Sequence, residues 1–257
     1  MLNPYTSLII LASLACLLMP KPVWAARMDG FPAIILWAWE RAEDLRFLPS
    51  ERFGVAFLAQ TLRLQEDTLL VNPRRQALKV SPTTRLIAVT RIETHKKSHQ
   101  RAALSAAQRE AIIQRVLQTA ALKNISAVQI DFDAKVSERE FYRQFLITLR
   151  SRLAADIALS ITALASFCLG DGWINGLPVD EAVPMIFRMG IDAKKVQHFL
   201  AEGNDFSVPL CQQSYGIATD EAEPPQHFVK LRQRRLYVFK GRHDGWKLSD
   251  LDFLIHR

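Results

Sequence analysis

The chain has 257 residues, 49% of them hydrophobic and 23% charged. That balance excludes an intrinsically disordered protein and leaves room for one large or two small domains whose core needs no staples. The net charge of +7 comes with no visible RNA- or DNA-binding motif, so nucleic acid is not an expected partner. A basic surface of this kind faces anionic glycans or phospholipid headgroups, or is merely soluble.

Leu8 to Met19 is apolar except for Ser13. A bilayer span needs about 20 residues, so this run is too short to cross one. It fits the apolar core of a signal peptide, and Val23-Trp24-Ala25 forms an A-x-A-like site before Ala26. Residues 1–25 are expected to be a signal peptide, residues 26–257 the folded domain, and the destination the periplasm. The stretch before the apolar core lacks Lys and Arg, and Lys21 follows it. Lipid attachment at Cys16 and an uncleaved anchor are the alternatives; a membrane is reached only through such a signal or lipid anchor. After cleavage Cys168 and Cys211 are the only cysteines left. Export permits a disulfide between them, while spacing alone leaves free thiols equally open.

Eight β-rich runs follow in order, at residues 33–39, 54–62, 85–93, 126–133, 157–165, 182–189, 210–218 and 235–240. Several are almost continuously apolar, as strands covered on both faces are. Helix signals lie between them. Ser105 and Gln108 form a capping box before Ile112, Ile113, Val116 and Leu117. Ser137 and Glu140 form another before the stripe Phe141, Phe145, Leu149 and Leu153. Asp192 is placed to cap a helix carrying Val196, Phe199 and Leu200, with Gly203 as its stop. Starts recur at roughly the length of a βα unit. The fold class is therefore α/β, a single (β/α)8 TIM-barrel-like domain, with an open doubly wound sheet as the alternative. No Gly-rich turn follows the first run, and no nucleotide cofactor is expected. Residues 221–226, EAEPPQ, read as a loop rather than a linker.

Barrel sites lie at the C-terminal ends of the strands, where the fourth run places Asp131 and Asp133. Strand alternation turns Val128, Ile130 and Phe132 towards the helices, and Gln129, Asp131 and Asp133 towards the barrel axis. Two carboxylates about 7 Å apart repel by roughly 2.4 kcal/mol at an effective dielectric of ~20, enough to raise one pKa. Such a raised acid beside an ionised one is the working pair of glycoside hydrolysis. Arg91 and Arg188 are placed to cancel part of that repulsion. Arg91 and Glu93 share a face of the third run, Glu40 follows the first run beside Trp37 and Trp39, and Arg188 ends the sixth. The tryptophans either offer flat faces to sugar rings or fill the core. Residues 95–101, HKKSHQR, form a basic rim; His95 and His99 have no third ligand, and no metal is expected. In the structural alternative the aspartates bond loop amides or pair with Arg91, and Glu93 and Arg188 belong to ion pairs without chemistry.

The stretches ILWAWERAEDLRFL, GVAFLAQTL, VQIDFDAKVSEREFYR, LSITALASFC, LPVDEAVPMIFRMG and CQQSYGIATDE resemble a bacterial family known only as domain of unknown function 3142. The resemblance runs from about Ile34 to Phe239 and implies a barrel related to glycoside hydrolases, with no established activity. A looser resemblance is to chitinase-like hydrolases of family 18, whose fourth strand ends in D-x-x-D-x-D-x-E. Asp131 and Asp133 match its second and third aspartates, Val128 replaces the first, and Lys135 replaces the acid. MIFR, ending in Arg188, partly echoes that family's M-x-Y-D. Glu138 falls in the first turn of the next helix.

Two functions follow. In one, the protein is an exported hydrolase of an envelope glycan, possessing Asp133 or Glu93 as acid and Asp131 as its orienter. Trp37 or Trp39 stacks on sugar, Gln129 and Glu40 line the opening, and Arg91 and Arg188 bind an anionic group. In the other, a carbohydrate-binding or scaffold barrel has kept the cleft and lost the acid.

Overall fold

The computed structural model describes residues 25–95, 100–170, 172–221, 234–241 and 245–255. The expected signal segment, with Cys16, lies outside them up to residue 24, as do His99 and its neighbours from 96 and most of the loop at 221–226.

Eleven strands run β1 (Ile34–Ala38), β2 (Glu43–Asp44), β3 (Phe53–Gln65), β4 (Thr68–Pro73), β5 (Leu78–Lys79), β6 (Leu86–Thr94), β7 (Ile125–Asp131), β8 (Ala158–Leu164), β9 (Glu181–Met185), β10 (Ser214–Ala218) and β11 (Arg235–Phe239). Eight of them form one parallel sheet in the order β1-β11-β10-β9-β8-β7-β6-β3. The ring closes because β1 pairs with both ends: Ile34 faces Leu236 of β11 and Phe53 of β3. The eight barrel strands coincide with the eight expected runs. The open sheet is excluded.

The helical layer is less regular than strict alternation predicts. Helices α1 (Ala106–Ala120), α2 (Arg139–Arg152) and α3 (Ala193–Ala201) follow β6, β7 and β9, and a short α4 (Asp252–Ile255) follows β11. Among the described residues no helix follows β1, β3 or β8. After β3 the chain turns back as β4, an antiparallel hairpin arm. After β8 it makes a single 3-10 turn, Ala165–Cys168, whose Cys168 is bonded to Cys211, with Cα atoms 6.0 Å apart. Both cysteines are wholly buried. This disulfide ties down a stretch that lacks a helix of its own.

The caps explain where the helices start. The Ser105–Gln108 box forms in both directions, with Gln108 N–H donating to Ser105 Oγ at 3.2 Å and Ser105 N–H to Gln108 Oε1 at 3.3 Å. Ser137 does not cap α2. A 3-10 turn, Val136–Glu138, comes first, and the Glu138 carboxylate instead accepts from Lys135 N–H at 2.8 Å. Asp192 stands at the start of α3 in helical conformation and makes no side-chain cap. Gly203, at φ +84°, supplies the left-handed turn that ends it. The α2 stripe buries Phe141, Tyr142, Phe145, Leu146 and Leu149, each such burial stabilising the fold by roughly 1.5–3 kcal/mol.

Strand alternation divides the core in two. Leu36, Val55, Ala88, Val128, Ile130 and Leu159 face outward beneath the helices. Ile35, Trp37, Ala56, Ile87, Val89, Ala127, Tyr237 and Phe239 fill the barrel. Met28 closes its lower end. Gly54 is fixed by contact: a Cβ there would come within 2.6 Å of Ile35 Cδ1.

Candidate functional site

At the C-terminal rim, Arg91 of β6 lies in register with Asp131 of β7. Parity places both inside, since Ile87, Val89 and Ala127 of the same strands belong to the inner cluster. On β3 the phase changes midway. Leu58 pairs with Val89, but Gln60 pairs with Thr90, which leaves Ala59 as a bulge. Above it Leu62 and Leu64 point into the outer core, and Arg63 comes to the same side as Glu93.

These side chains form a continuous polar chain. Arg63 Nη2 donates to Glu93 Oε2 at 3.1 Å, and Arg91 Nε to Glu93 Oε1 at 3.1 Å. Arg91 Nη1 lies 3.5 Å from Asp131 Oδ2, and Thr162 Oγ1 donates to Asp131 Oδ1 at 2.8 Å. Asp131 is 9% exposed, so it is a buried carboxylate with partners on both oxygens. Asp133, two residues on, is exposed at the rim. Burial by the surrounding cleft, and then the charge of Asp131, hold its carboxyl above the usual range against the opposing pull of Arg91. The contact with solvent keeps that shift modest. Behind them, burial followed by the charges of Asp131 and Asp133 raises the Tyr142 phenol far above its ordinary value, so it stays neutral.

Arg63, Arg91, Glu93, His95, Asp131, Asp133 and Lys135 line one cleft of about 630 Å³. Four residues expected at the site, Arg91, Glu93, Asp131 and Asp133, are thus brought together. The other candidates go elsewhere. Trp37 is 1% exposed and packs on Phe239 at 4.5 Å, which also meets Phe187 at 4.7 Å. It fills the interior instead of offering a face to sugar. Trp39 is half-buried against Trp37, with its indole N–H on Lys240 O at 2.8 Å. Gln129 faces inward as expected but is sealed one layer below, donating to Ser160 Oγ at 2.9 Å. Glu40 accepts from the backbone N–H groups of Arg75 and Gln76 and so holds a loop. Arg188 lies past the end of β9 at φ +49°, its N–H on Glu221 and its guanidinium on Asp220 at 2.9 Å. It does not counter the aspartate pair, whereas Arg91 does. Half of the rim, on β9, β11 and β1, is therefore aromatic, and the half on β3, β6, β7 and β8 is polar.

Sequence reasoning missed Arg63 and Thr162. Arg63 lies one residue beyond the expected second run and behind a bulge without a sequence signature. Thr162 was legible in principle, because the fifth run is inward-facing at every second residue and Thr162 is in phase with Ser160. Lys135 stands where a chitinase-like acid would be, and Glu138 is spent on Lys135 N–H and Thr94 Oγ1.

A larger cavity, about 680 Å³, lies at the opposite end of the barrel around Arg27, Arg150 and Asp180. Its charges are mutually satisfied: Asp180 pairs with Arg27 at 2.8 Å and accepts from Leu159 N–H at 2.7 Å. It lies away from the rim chemistry. Among the described residues no group of potential ligands is placed to hold a metal, and no helix is long and apolar enough to cross a membrane.

No protein-family model matches the chain, and no curated protein matches it by sequence. Among solved structures it is similar to the spore cortex-lytic enzyme SleL of Bacillus cereus, at 16% identity and a TM-score of 0.47. The match covers 74% of this chain and 51% of that one, so this chain spans about half the length of that structure. Closure of the barrel rests on the strand register, and the likeness carries no chemistry.

Proposed function

We propose that this protein is an exported, glycoside-hydrolase-like barrel acting on a polysaccharide or glycoconjugate of the cell envelope. The observation that carries this reading is the unequal pair at the rim. Asp131 is buried, with Thr162 donating to one oxygen and Arg91 beside the other, and Asp133 next to it reaches solvent with its carboxyl raised. Two neighbouring acids in surroundings this unlike are suited to divide proton donation from charge stabilisation. Asp133 gives its proton to the glycosidic oxygen as the bond to the anomeric carbon breaks, the Asp131 carboxylate stabilises the oxocarbenium-like state, and water then adds to that carbon and returns a proton to the Asp133 carboxylate. Glu93 positions Arg91, its two oxygens accepting from Arg91 and Arg63. The Cys168–Cys211 bond is of the kind that persists in oxidising compartments, which supports a periplasmic location.

A carbohydrate-binding barrel is the second reading, favoured by Lys135 in the acid position and by the engagement of Glu138 in the α2 turn. A glycan panel with product detection, comparing the wild type with Asp133→Asn, separates the two. Turnover that Asp133→Asn abolishes supports the hydrolase. Binding without products from either protein supports the binding barrel.

A further inference from the structure

We propose that the cleft takes an acidic glycan, the carboxylate of a uronic-acid-type sugar being held by Arg63 and Lys135; this rests on the reading of the Asp131–Asp133 rim as a carbohydrate site. The inference starts from which cations are already engaged. Arg91 is committed to Glu93 and Asp131. Arg63, with its side chain 45% exposed, uses only Nη2, on Glu93, and its remaining N–H groups have no partner among the described residues. Lys135, 54% exposed, lies 3.8 Å from Glu138 Oε1, beyond hydrogen-bond reach. That oxygen already accepts from Thr94 Oγ1 at 2.7 Å.

β3 and β7 are the two neighbours of β6. Arg63, on β3, and Lys135, just past β7, therefore flank the Glu93–Arg91 pair, and both line the same cleft. An exposed ion pair such as Arg63–Glu93 is weak, so the guanidinium is available to a second carboxylate. Arginine suits that acceptor because its planar fork matches a carboxylate, and lysine adds an adjustable point charge. A neutral sugar would leave both sets of donors to water. The lysine that replaces a proton donor thus gains a role in selecting substrate.

The test measures binding of galacturonate, glucuronate and mannuronate oligosaccharides, their carboxyl-reduced neutral forms and dextran sulfate by calorimetry. The proteins are the full chain, the Arg63→Met/Lys135→Met double variant, and Lys123→Met as an exposed control. At least one acidic oligosaccharide is expected to bind at least tenfold more tightly than its reduced form. The double variant should lose that margin while its thermal unfolding is unchanged, and Lys123→Met should behave as wild type. Equal binding of the reduced form to the wild type overturns the proposal whatever the variants do. So does dextran sulfate binding that Lys123→Met weakens as much as the double variant, which marks general charge attraction. Asp133-dependent cleavage of a neutral glycan sinks the acidic substrate and keeps the hydrolase; no binding or cleavage of any glycan sinks both.

Discussion

Replacing Arg235 with methionine strands a charge inside the barrel floor. Glu181, the first residue of β9, is wholly buried; its carboxylate accepts from Arg235 Nη1 at 2.7 Å, from Ser160 Oγ at 3.2 Å and from the Tyr237 hydroxyl. Opposite unit charges about 3–4 Å apart attract by about 4–6 kcal/mol at an effective dielectric near 20. Desolvation of both ions offsets much of this in the intact pair, so removing one partner exposes the cost of burying the other. Arg235→Met is expected to lose about 3–5 kcal/mol, part of it from the bond of Arg235 Nη2 to Met28 O. Urea unfolding followed by tryptophan fluorescence reads this as a lower midpoint at unchanged slope. Arg235→Met combined with Glu181→Leu and Tyr237→Phe removes the stranded ion and the Tyr237 hydroxyl, leaving only the Ser160 hydroxyl without its acceptor there, and should recover much of the loss. A loss below about 1 kcal/mol for Arg235→Met, or a triple variant as unstable as the single, refutes the reasoning.

The Cys168–Cys211 bond closes a loop of sequence separation 43, for which loop entropy gives at most about 4 kcal/mol; Cys168→Ala/Cys211→Ala should lose up to that amount in urea unfolding and become insensitive to reductant. Thr162→Val removes the neutral donor to Asp131, so a stability loss of about 1.5–3 kcal/mol is expected by urea unfolding, with reduced turnover of any substrate found. Asp133 has a folded pKa above its ordinary value, so its ionisation disfavours the fold. The wild type should lose stability relative to Asp133→Asn as pH rises from the ordinary carboxylate range through the raised value, and the gap should then level off. Unfolding midpoints across that range check it, and a gap that narrows with rising pH contradicts the sign.

The barrel was legible because its evidence is redundant. Several strands announce themselves by nearly continuous apolar residues, and the ring follows from eight β-rich runs at regular spacing. Strand parity at Gln129, Asp131 and Asp133 was equally legible, since alternation is fixed by backbone geometry and the irregularity of β7, at Ser126, lies below these residues. What the sequence hid depends on departures from regularity. The bulge at Ala59 reverses the parity of β3, and nothing in the residues around it signals the extra position. The replacement of helices by the β4 hairpin and by a disulfide-tied segment is likewise a tertiary choice. Trp37 and Trp39 show a different limit. Composition cannot say whether an aromatic residue at a strand end faces solvent or meets Phe239 across the barrel.

The shape of the rim explains where the polar chain forms. β1 pairs with β3 no further than Phe57, whereas β3 and β6 stay paired to Leu64 and Thr94. One side of the barrel is therefore taller, and Arg63 and Glu93 stand on that wall above the level of Asp131. At the foot of the wall Asp131 is buried enough to need two partners, and Asp133 is one strand step higher, where solvent reaches it. On the opposite side Trp37, Phe187 and Phe239 fill the interior and offer no carboxylate. The difference between the two aspartates thus follows from height on the rim: the same residue type is buried and partnered at the foot, and solvent-reached with a raised carboxyl at the lip.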